Sequence, residues 1–291
     1  MRHVIHLYDS GLLRRALLEA VLVGALCGAV GAHVVLRRLP FFTITVAHAT
    51  FPGIVLATII GLSELVGGLA FATLLVLAIY LTTGDQNLDN NTAVGVALAG
   101  SFGLGVMLQS AQDGFTKDLT AILVGSVLTV DHRDVVITAV VGVVVLGALT
   151  GAHKELVFRA FDPEGAAAQG YPRLLDLALL LAVAATVVTT IPAVGTILAV
   201  ALLSVPAMTA RLVTRRVSTA MVVGAAYGAA SGVVGLTASA EWDFAAGASI
   251  ALASALLFVL TFAAVSASRR LTQLRALRQP TSPLPSPSSL A

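Results

Sequence analysis

Residues 134–152, DVVITAVVGVVVLGALTGA, carry one charged side chain, Asp134, and are otherwise almost entirely apolar. A helix needs about 20 mostly apolar residues to cross the hydrocarbon core of a membrane, so this run predicts a spanning helix. Similar runs recur along the chain. Together they predict nine spans, with eight or ten as alternatives: 16–36, 44–62, 65–83, 92–110, 134–152, 174–191, 194–213, 218–239 and 246–267.

The composition agrees with a membrane protein. Of the 291 residues, 57% are hydrophobic and 11% are charged, and the mean hydropathy is +0.95. Soluble domains are about one quarter charged, so cytosolic enzymes, nucleic-acid binders and disordered proteins are excluded. Long Ala/Val/Leu/Gly runs favour helices over a β-barrel, whose strands alternate apolar and polar residues. The predicted fold class is an all-α polytopic transmembrane bundle. The single cysteine, Cys27, excludes a disulfide framework and a thiolate-cluster metal site.

The distribution of basic residues predicts the orientation, because cytoplasmic loops are enriched in Lys and Arg. With the N-terminus outside and the C-terminus inside, twelve basic residues face the cytoplasm: Arg37, Arg38, Lys154, Arg159, Arg173, Arg211, Arg215, Arg216, Arg269, Arg270, Arg275 and Arg278. Five lie on the other side: Arg2, Arg14, Arg15, Lys117 and Arg133. Arg14 and Arg15, directly before the first span, favour the reverse orientation, and we follow the larger count.

The spans and their orientation divide the chain into three parts. Residues 1–15 form an extracytoplasmic N-terminal segment, and 16–267 form the transmembrane domain, whose longest loop, 153–173, faces the cytoplasm. A Pro/Ser-rich tail, 268–291, is predicted to be disordered and cytoplasmic. The apolar piece 118–130 is too short to cross comfortably, which predicts a re-entrant or interfacial segment.

The run His48-Ala49-Thr50-Phe51-Pro52-Gly53 is the main candidate for a substrate path. Ionisable residues inside a membrane are costly and therefore usually functional. Pro52 has no N–H for the carbonyl of His48, and Gly53 permits a bend, so the run predicts a helix break. Broken helices at this depth often line a path. A simple proline kink with a hydrogen-bonded histidine is the alternative.

Other ionisable residues lie nearer to the ends of the predicted spans. His33, fifteen positions before His48, meets it only if the first two spans are neighbours; the alternative is a histidine hydrogen-bonded near Arg37. Glu19 and Asp176 lie close to span ends, and the middle of every predicted span lacks a carboxylate. This pattern disfavours a proton-coupled carrier, which generally needs a buried carboxylate relay.

A second motif, Phe161-Asp162-Pro163-Glu164, lies in the loop 153–173. Asp162 is a good N-cap, Pro163 suits the first helical position, and Glu164 complements the positive helix end. Gly170 and Pro172 then end the helix. The motif predicts a two-turn helix on the cytoplasmic side, either a docking site for a soluble partner or an ordinary amphipathic connector.

The sequence has no catalytic machinery of its own. Its two lysines, Lys117 and Lys154, stand outside any phosphate-binding glycine pattern. No Ser/His/Asp constellation and no metalloprotease motif occurs either. ATP, if used, is therefore hydrolysed by another polypeptide.

Taken in order, several stretches resemble the permease subunit of the metal-ion class of ABC importers, which carries zinc, manganese or iron(II). They extend over about residues 14–267 and are Gly31-Ala32-His33-Val34-Val35-Leu36-Arg37-Arg38, the His48 run, Asn91-Thr92-Ala93-Val94-Gly95, Lys154-Glu155-Leu156 with Phe161-Asp162-Pro163-Glu164, Ala193-Val194-Gly195, Pro206-Ala207 and Thr209-Ala210-Arg211-Leu212.

This resemblance implies a bacterial plasma-membrane permease similar to those importing cobalamin and siderophores. It implies a homodimer or pseudo-dimer, two cytoplasmic ATPases docked on Phe161, Asp162, Pro163 and Glu164, and an extracytoplasmic binding protein that delivers the metal. His48 becomes a residue of the translocation path. The metal ion is cargo, and no permanently bound cofactor is expected.

One position departs from the family. An aspartate usually stands four residues before the histidine, and the pair is thought to bind the ion; here that position is Ile44. We hypothesise that His33 compensates, giving a site of two imidazoles and backbone carbonyls, which favours Zn²⁺ over Mn²⁺. Two other classes stay open: an ATPase-independent secondary carrier or channel, and a structural or regulatory membrane subunit.

Overall fold

The computed structural model describes residues 11–82, 90–111 and 130–278, and this part of the chain is helical, without strands. Its helices are α1 Gly11–Leu36, α2 Pro40–Ile60, α3 Glu64–Thr82, α4 Asn90–Ser110, α5 His132–Gly151, α6 His153–Phe161, α7 Pro163–Ala168, α8 Leu174–Val213, α9 Val217–Trp242 and α10 Ala246–Arg278. The predicted all-α transmembrane class is confirmed.

Close packing of α1 against α9 forms the centre of the bundle. Gly24 lies against the backbone of Gly228, and Gly28 lies against the backbone of Gly224, so the two helices run antiparallel. A Cβ atom at any of these four glycines would collide with the facing carbonyl. Hydrophobicity does not drive helices together inside lipid, so their association depends on close packing. Small residues such as these glycines permit that packing, because they let the two backbones approach closely.

Helix α8 doubles back on itself. A straight helix of its 40 residues would be about 60 Å long, twice the hydrocarbon core. Asp176 is paired with Arg37, and Leu203 lies against Gly31. Arg37 and Gly31 are about 9 Å apart along α1, whereas Asp176 and Leu203 would be about 40 Å apart in a straight helix. The reversal falls at Gly195, whose φ of 79° and ψ of 167° are non-helical and suit glycine.

Within the described residues, eight helices are long and apolar enough to span a membrane, if α8 is counted once. The predicted number was nine, and the difference lies in α8, where the predicted spans 174–191 and 194–213 form one helical element with its break at Gly195. The sequence shows both apolar runs, but in the structure only the single non-helical residue Gly195 interrupts them.

The structure differs from the prediction in the C-terminal tail and in the loop 153–173. Helix α10 continues to Arg278, so the first eleven residues of the predicted disordered tail, 268–291, are helical. The loop 153–173 contains α6 in addition to the predicted short helix. Residues 279–291, residues 1–10 of the N-terminal segment and nearly all of 118–130 lie outside the described part of the chain.

The bundle has two ends. The C-terminus of α1 and the N-terminus of α8 lie beside α6, since Arg37 contacts both Asp176 and Leu156; we call this the α6–α7 end. Glu19 contacts Thr138 near the start of α5 at the opposite end, which we call the Glu19 end.

Candidate functional site

The predicted short helix is confirmed as α7. The Asp162 carboxylate accepts a hydrogen bond from the N–H of Gly165 at 2.8 Å, and Pro163 occupies the first turn. Gly170, at φ 83°, ends the helix with a backbone conformation that suits glycine. Phe161 is 70% exposed, and Glu164 is exposed as well. An exposed aromatic ring beside a capped helix is suited to contact a partner, and the docking role itself stays a prediction.

A charged network attaches α6 to the membrane helices. The Asp176 carboxylate of α8 is paired with Arg37 and, at 2.6 Å, with Arg159 of α6. Arg37 also donates to the carbonyl of Leu156 at 3.0 Å, and Arg159 donates to the carbonyl of Tyr171 at 3.1 Å. These contacts join α6 directly to the ends of α1 and α8.

The Arg159 guanidinium is further stabilised in its charged form within this network. The hydrogen bond to Asp176 raises the pKa of the Arg159 guanidinium above its ordinary value. The sequence did not predict this pairing: Arg159 entered only the orientation count, Arg37 was considered as a neighbour of His33, and Asp176 was placed near a span end. The available signal for their pairing was a carboxylate at the start of a predicted span, at the end of the bundle where basic residues are concentrated. The network borders a cavity of about 330 Å³.

Helix α2 presents His48 on an otherwise covered surface. Between residues 42 and 55, only Ile44 and His48 are partly exposed, and every other residue is buried. These two positions are one helical turn apart and share a face. The His48 ring makes an edge contact with Phe102 of α4 at 5.8 Å between centroids, and Phe102 also contacts Phe51 at 6.4 Å.

The predicted helix break at Pro52 and Gly53 is wrong as an interruption, because α2 continues through both residues to Ile60. Gly53 has a packing role instead: a Cβ there would collide with the carbonyl of Gly67 on α3. Pro52 still lacks the N–H that would bond the carbonyl of His48, so that carbonyl oxygen has no helical hydrogen bond. The helix nevertheless continues past this point without dividing into two.

His33 lies in a different environment from His48. It is fully buried, and its ring is 5.7 Å from the ring of His153 at the start of α6. Neither of its nitrogens has a hydrogen-bond partner among the described residues. The structure thus places His33 at the α6–α7 end against His153, and places His48 against α4. The hypothesis of a shared two-imidazole site stays a prediction without a contact that supports it.

No group of three or more His, Cys, Asp or Glu side chains in the described ranges is arranged to hold a metal ion. An all-protein cage is not needed in a translocation path, since a transported ion must be held weakly enough to leave. The partly exposed pair of Ile44 and His48 is therefore a stronger candidate for contact with a transported ion than the buried His33. Helix α7 is the candidate for contact with a soluble partner.

This chain is similar to known proteins over most of its length. The model of a family described as the ABC 3 transport family matches residues 9–265. The manganese transport system membrane protein MntC of Halalkalibacterium halodurans is 34% identical over 251 residues, 86% of each chain. The manganese import system permease protein ScaB of Streptococcus gordonii is 35% identical over 261 residues, 88% of this chain and 92% of the relative.

Solved structures show the same likeness. PsaBC from Streptococcus pneumoniae in complex with Fab includes a chain 33% identical, with a TM-score of 0.78, covering 90% of this chain and 95% of that one. A metal-chelate type ABC transporter in an inward-facing conformation is 20% identical with a TM-score of 0.67, covering 85% and 84%, which shows likeness of fold alone.

Proposed function

Because the chain belongs to the ABC 3 transport family, a family of permease subunits in ABC importers, we propose that it carries a divalent transition-metal ion across the plasma membrane. Its helices make it a multi-pass membrane protein. Two relatives are named for manganese transport or import. For this chain we propose zinc or manganese, with iron as a further candidate.

One observation supports the metal path most strongly: Ile44 and His48 are the only partly exposed residues between 42 and 55 of α2. An imidazole on an uncovered face of a membrane helix is available to a passing ion, and it is a ligand for zinc, manganese and iron. The neighbouring Ile44 supplies no carboxylate oxygen. This lack favours Zn²⁺ over Mn²⁺, since hard oxygen ligands suit manganese better.

A second copy of the chain is the proposed partner on this face, so that two permeases enclose the path as a homodimer. The proposed outer partner is an extracytoplasmic protein that delivers the metal. The lipid bilayer surrounds the rest of the bundle, where large apolar side chains such as Val143, Leu260 and Leu74 are exposed.

The proposed inner partner is a pair of cytoplasmic ABC ATPases, which dock on Phe161, Asp162, Pro163 and Glu164. The exposure of Phe161 and the Asp176 network support this role, because the network joins the docking segment to α1 and α8. This assignment places the α6–α7 end in the cytoplasm. The N-terminus is then extracytoplasmic and the C-terminus cytoplasmic.

Metal uptake by cells tests the proposal. A strain lacking this gene is complemented with wild-type, His48→Ala or Thr58→Ala chains, the last an exposed position on the same helix. Cellular Zn, Mn and Fe are measured, together with growth rescue by each added metal. We expect His48→Ala to lower the transported metal to the level of the deletion strain and Thr58→Ala to restore it fully. Unchanged metal content in the deletion strain would contradict the proposal.

The ATPase partner is tested in the same strain. Inactivating the partner ATPase is expected to abolish uptake as completely as deleting the permease. Uptake that continues without the ATPase would instead favour a secondary carrier or channel.

A further inference from the structure

Glu19 is a buried carboxylate that the proposed path through His48 does not use. It lies on α1, is 1% exposed, and its Oε1 accepts a hydrogen bond from the Thr138 hydroxyl of α5 at 2.7 Å. Its Oε2 has no hydrogen-bond partner within the described ranges. Ionisable side chains are expensive inside a membrane and mark ion pathways when they are retained there.

The Glu19 side chain borders a cavity of about 610 Å³ at the Glu19 end of the bundle. The first turn of α5 contributes His132, Arg133 and Asp134 to its wall, and Thr189 of α8 lies opposite. His132 and Arg133 are exposed and Asp134 is partly exposed, so the cavity wall is polar and accessible at the start of α5, whereas Glu19 is buried.

Among the described residues that line the cavity, Arg133 is the one arginine or lysine, and Asp134 and Glu19 are the carboxylates. One Asp134 oxygen accepts a hydrogen bond from the backbone N–H of Asp131 at 2.9 Å, which fixes this carboxylate at the mouth. Glu19 is the most buried of these charged groups, and its Oε2 has no hydrogen-bond partner among the described residues.

The donor set identifies the ligand class. The described wall of the cavity carries two carboxylates, two hydroxyl groups and one imidazole, and such mostly oxygen-bearing groups suit Mn²⁺ and are accepted by Zn²⁺. Across the described residues, no three acidic, histidine or cysteine side chains are close enough to enclose a metal. A cation here therefore keeps part of its water shell, as befits an ion that must pass onward.

We propose that this cavity is a cation-binding vestibule, with Glu19 as the innermost ligand for a divalent metal ion that approaches from the Glu19 end. The inference rests on the proposed function, since it supposes that such an ion crosses the bundle. In this structure the carboxylate is closed off, and separation of α5 from α1 exposes it to the ion. The vestibule lies at the opposite end from α7 and is separate from His48.

Binding of Mn²⁺ alone to the purified full-length chain tests the vestibule. All chains carry His48→Ala, so that His48 makes no contribution, and free Mn²⁺ is followed by its electron paramagnetic resonance signal. We expect Glu19→Gln to weaken Mn²⁺ binding at least about tenfold, as loss of a metal contact does, and Glu19→Asp to retain most of it. The amide of Gln keeps an oxygen for the Thr138 hydroxyl.

The matched control is Glu155→Gln. Glu155 also has a buried oxygen without a partner among the described residues, but it lies on α6 at the other end. Its substitution is expected to leave Mn²⁺ binding unchanged. Thermal melting and size-exclusion profiles confirm that each variant is folded. Equal binding by Glu19→Gln and the parent chain, or equal weakening in Glu155→Gln, would overturn the vestibule.

Uptake by the assembled transporter separates this inference from the proposed function. If the wild-type protein accumulates metal and Glu19→Gln binds and accumulates it equally well, the vestibule alone is wrong. If the wild-type protein accumulates no metal at all, the proposed function is wrong, whatever Glu19 does.

Discussion

Replacing Asp176 by Asn tests whether the charged network holds the α6–α7 segment on the membrane helices. The carboxylate is 26% exposed and lies between the Arg37 and Arg159 side chains, which are 14% and 8% exposed. Asparagine has nearly the same volume but removes the negative charge. Both largely buried guanidinium groups then lose their anionic partner and keep only their hydrogen bonds to the carbonyls of Leu156 and Tyr171.

The magnitude follows from this burial. Removing one partner of a buried ion pair costs about 3–5 kcal/mol, and we take the lower end, about 3 kcal/mol, because Asp176 is partly solvated. If this energy holds α6 in place, local opening of α6 becomes about 100-fold more frequent, at 1.4 kcal/mol for each factor of ten.

Hydrogen exchange measures this opening directly. In Asp176→Asn, we expect the backbone amides of α6 to exchange about 100-fold faster, while those of the α1–α9 centre keep their protection. Stimulation of the partner ATPase by metal-loaded binding protein should fall in parallel. Asp243→Asn is the matched control, because Asp243 is exposed and follows α9 at the other end. Unchanged exchange in α6 would refute the role of the network in holding the α6–α7 segment.

Four further substitutions test separate contacts. Ile44→Asp should restore a carboxylate four residues before His48 and shift uptake from Zn²⁺ toward Mn²⁺ in competition assays. Phe161→Ala should weaken co-purification of the ATPase about tenfold, as loss of an exposed aromatic anchor does, while Phe244→Ala, 64% exposed at the other end, should not. Asp162→Ala should cost about 1 kcal/mol of α7 stability, seen as faster exchange at Gly165, whereas Asp162→Asn should retain the cap. Gly228→Ala should destabilise the chain by about 1–3 kcal/mol in thermal melts, because its Cβ meets the Gly24 carbonyl, whereas Gly147→Ala has open space.

The elements that depend on local chemistry were predictable from the sequence. Nearly every apolar run became a helix, and α7 begins and ends where Asp162, Pro163 and Gly170 require. Each of these features is set by a few adjacent residues. The boundary between the apolar runs 174–191 and 194–213 was predicted, whereas the reversal at the single residue Gly195, inside one continuous helical element, was not.

The candidate sites show the same limit. The pairing of Asp176 with Arg37 joins residues 139 positions apart, and no local pattern marks it. His33 was hypothesised to compensate for Ile44 beside His48; the structure places its ring against His153, and the shared site stays a prediction. Glu19 was placed near a span end, and only the contact with Thr138 shows how completely it is enclosed.

Transport by purified components tests the central claim most directly. The chain is reconstituted with its ATPase in liposomes, and uptake of ⁶⁵Zn²⁺ or ⁵⁴Mn²⁺ delivered by the binding protein is followed with ATP or with ADP. We predict accumulation against a gradient with ATP only, lost in His48→Ala. Equal uptake with ADP, or unimpaired accumulation by His48→Ala, would contradict an ATP-driven path past this histidine.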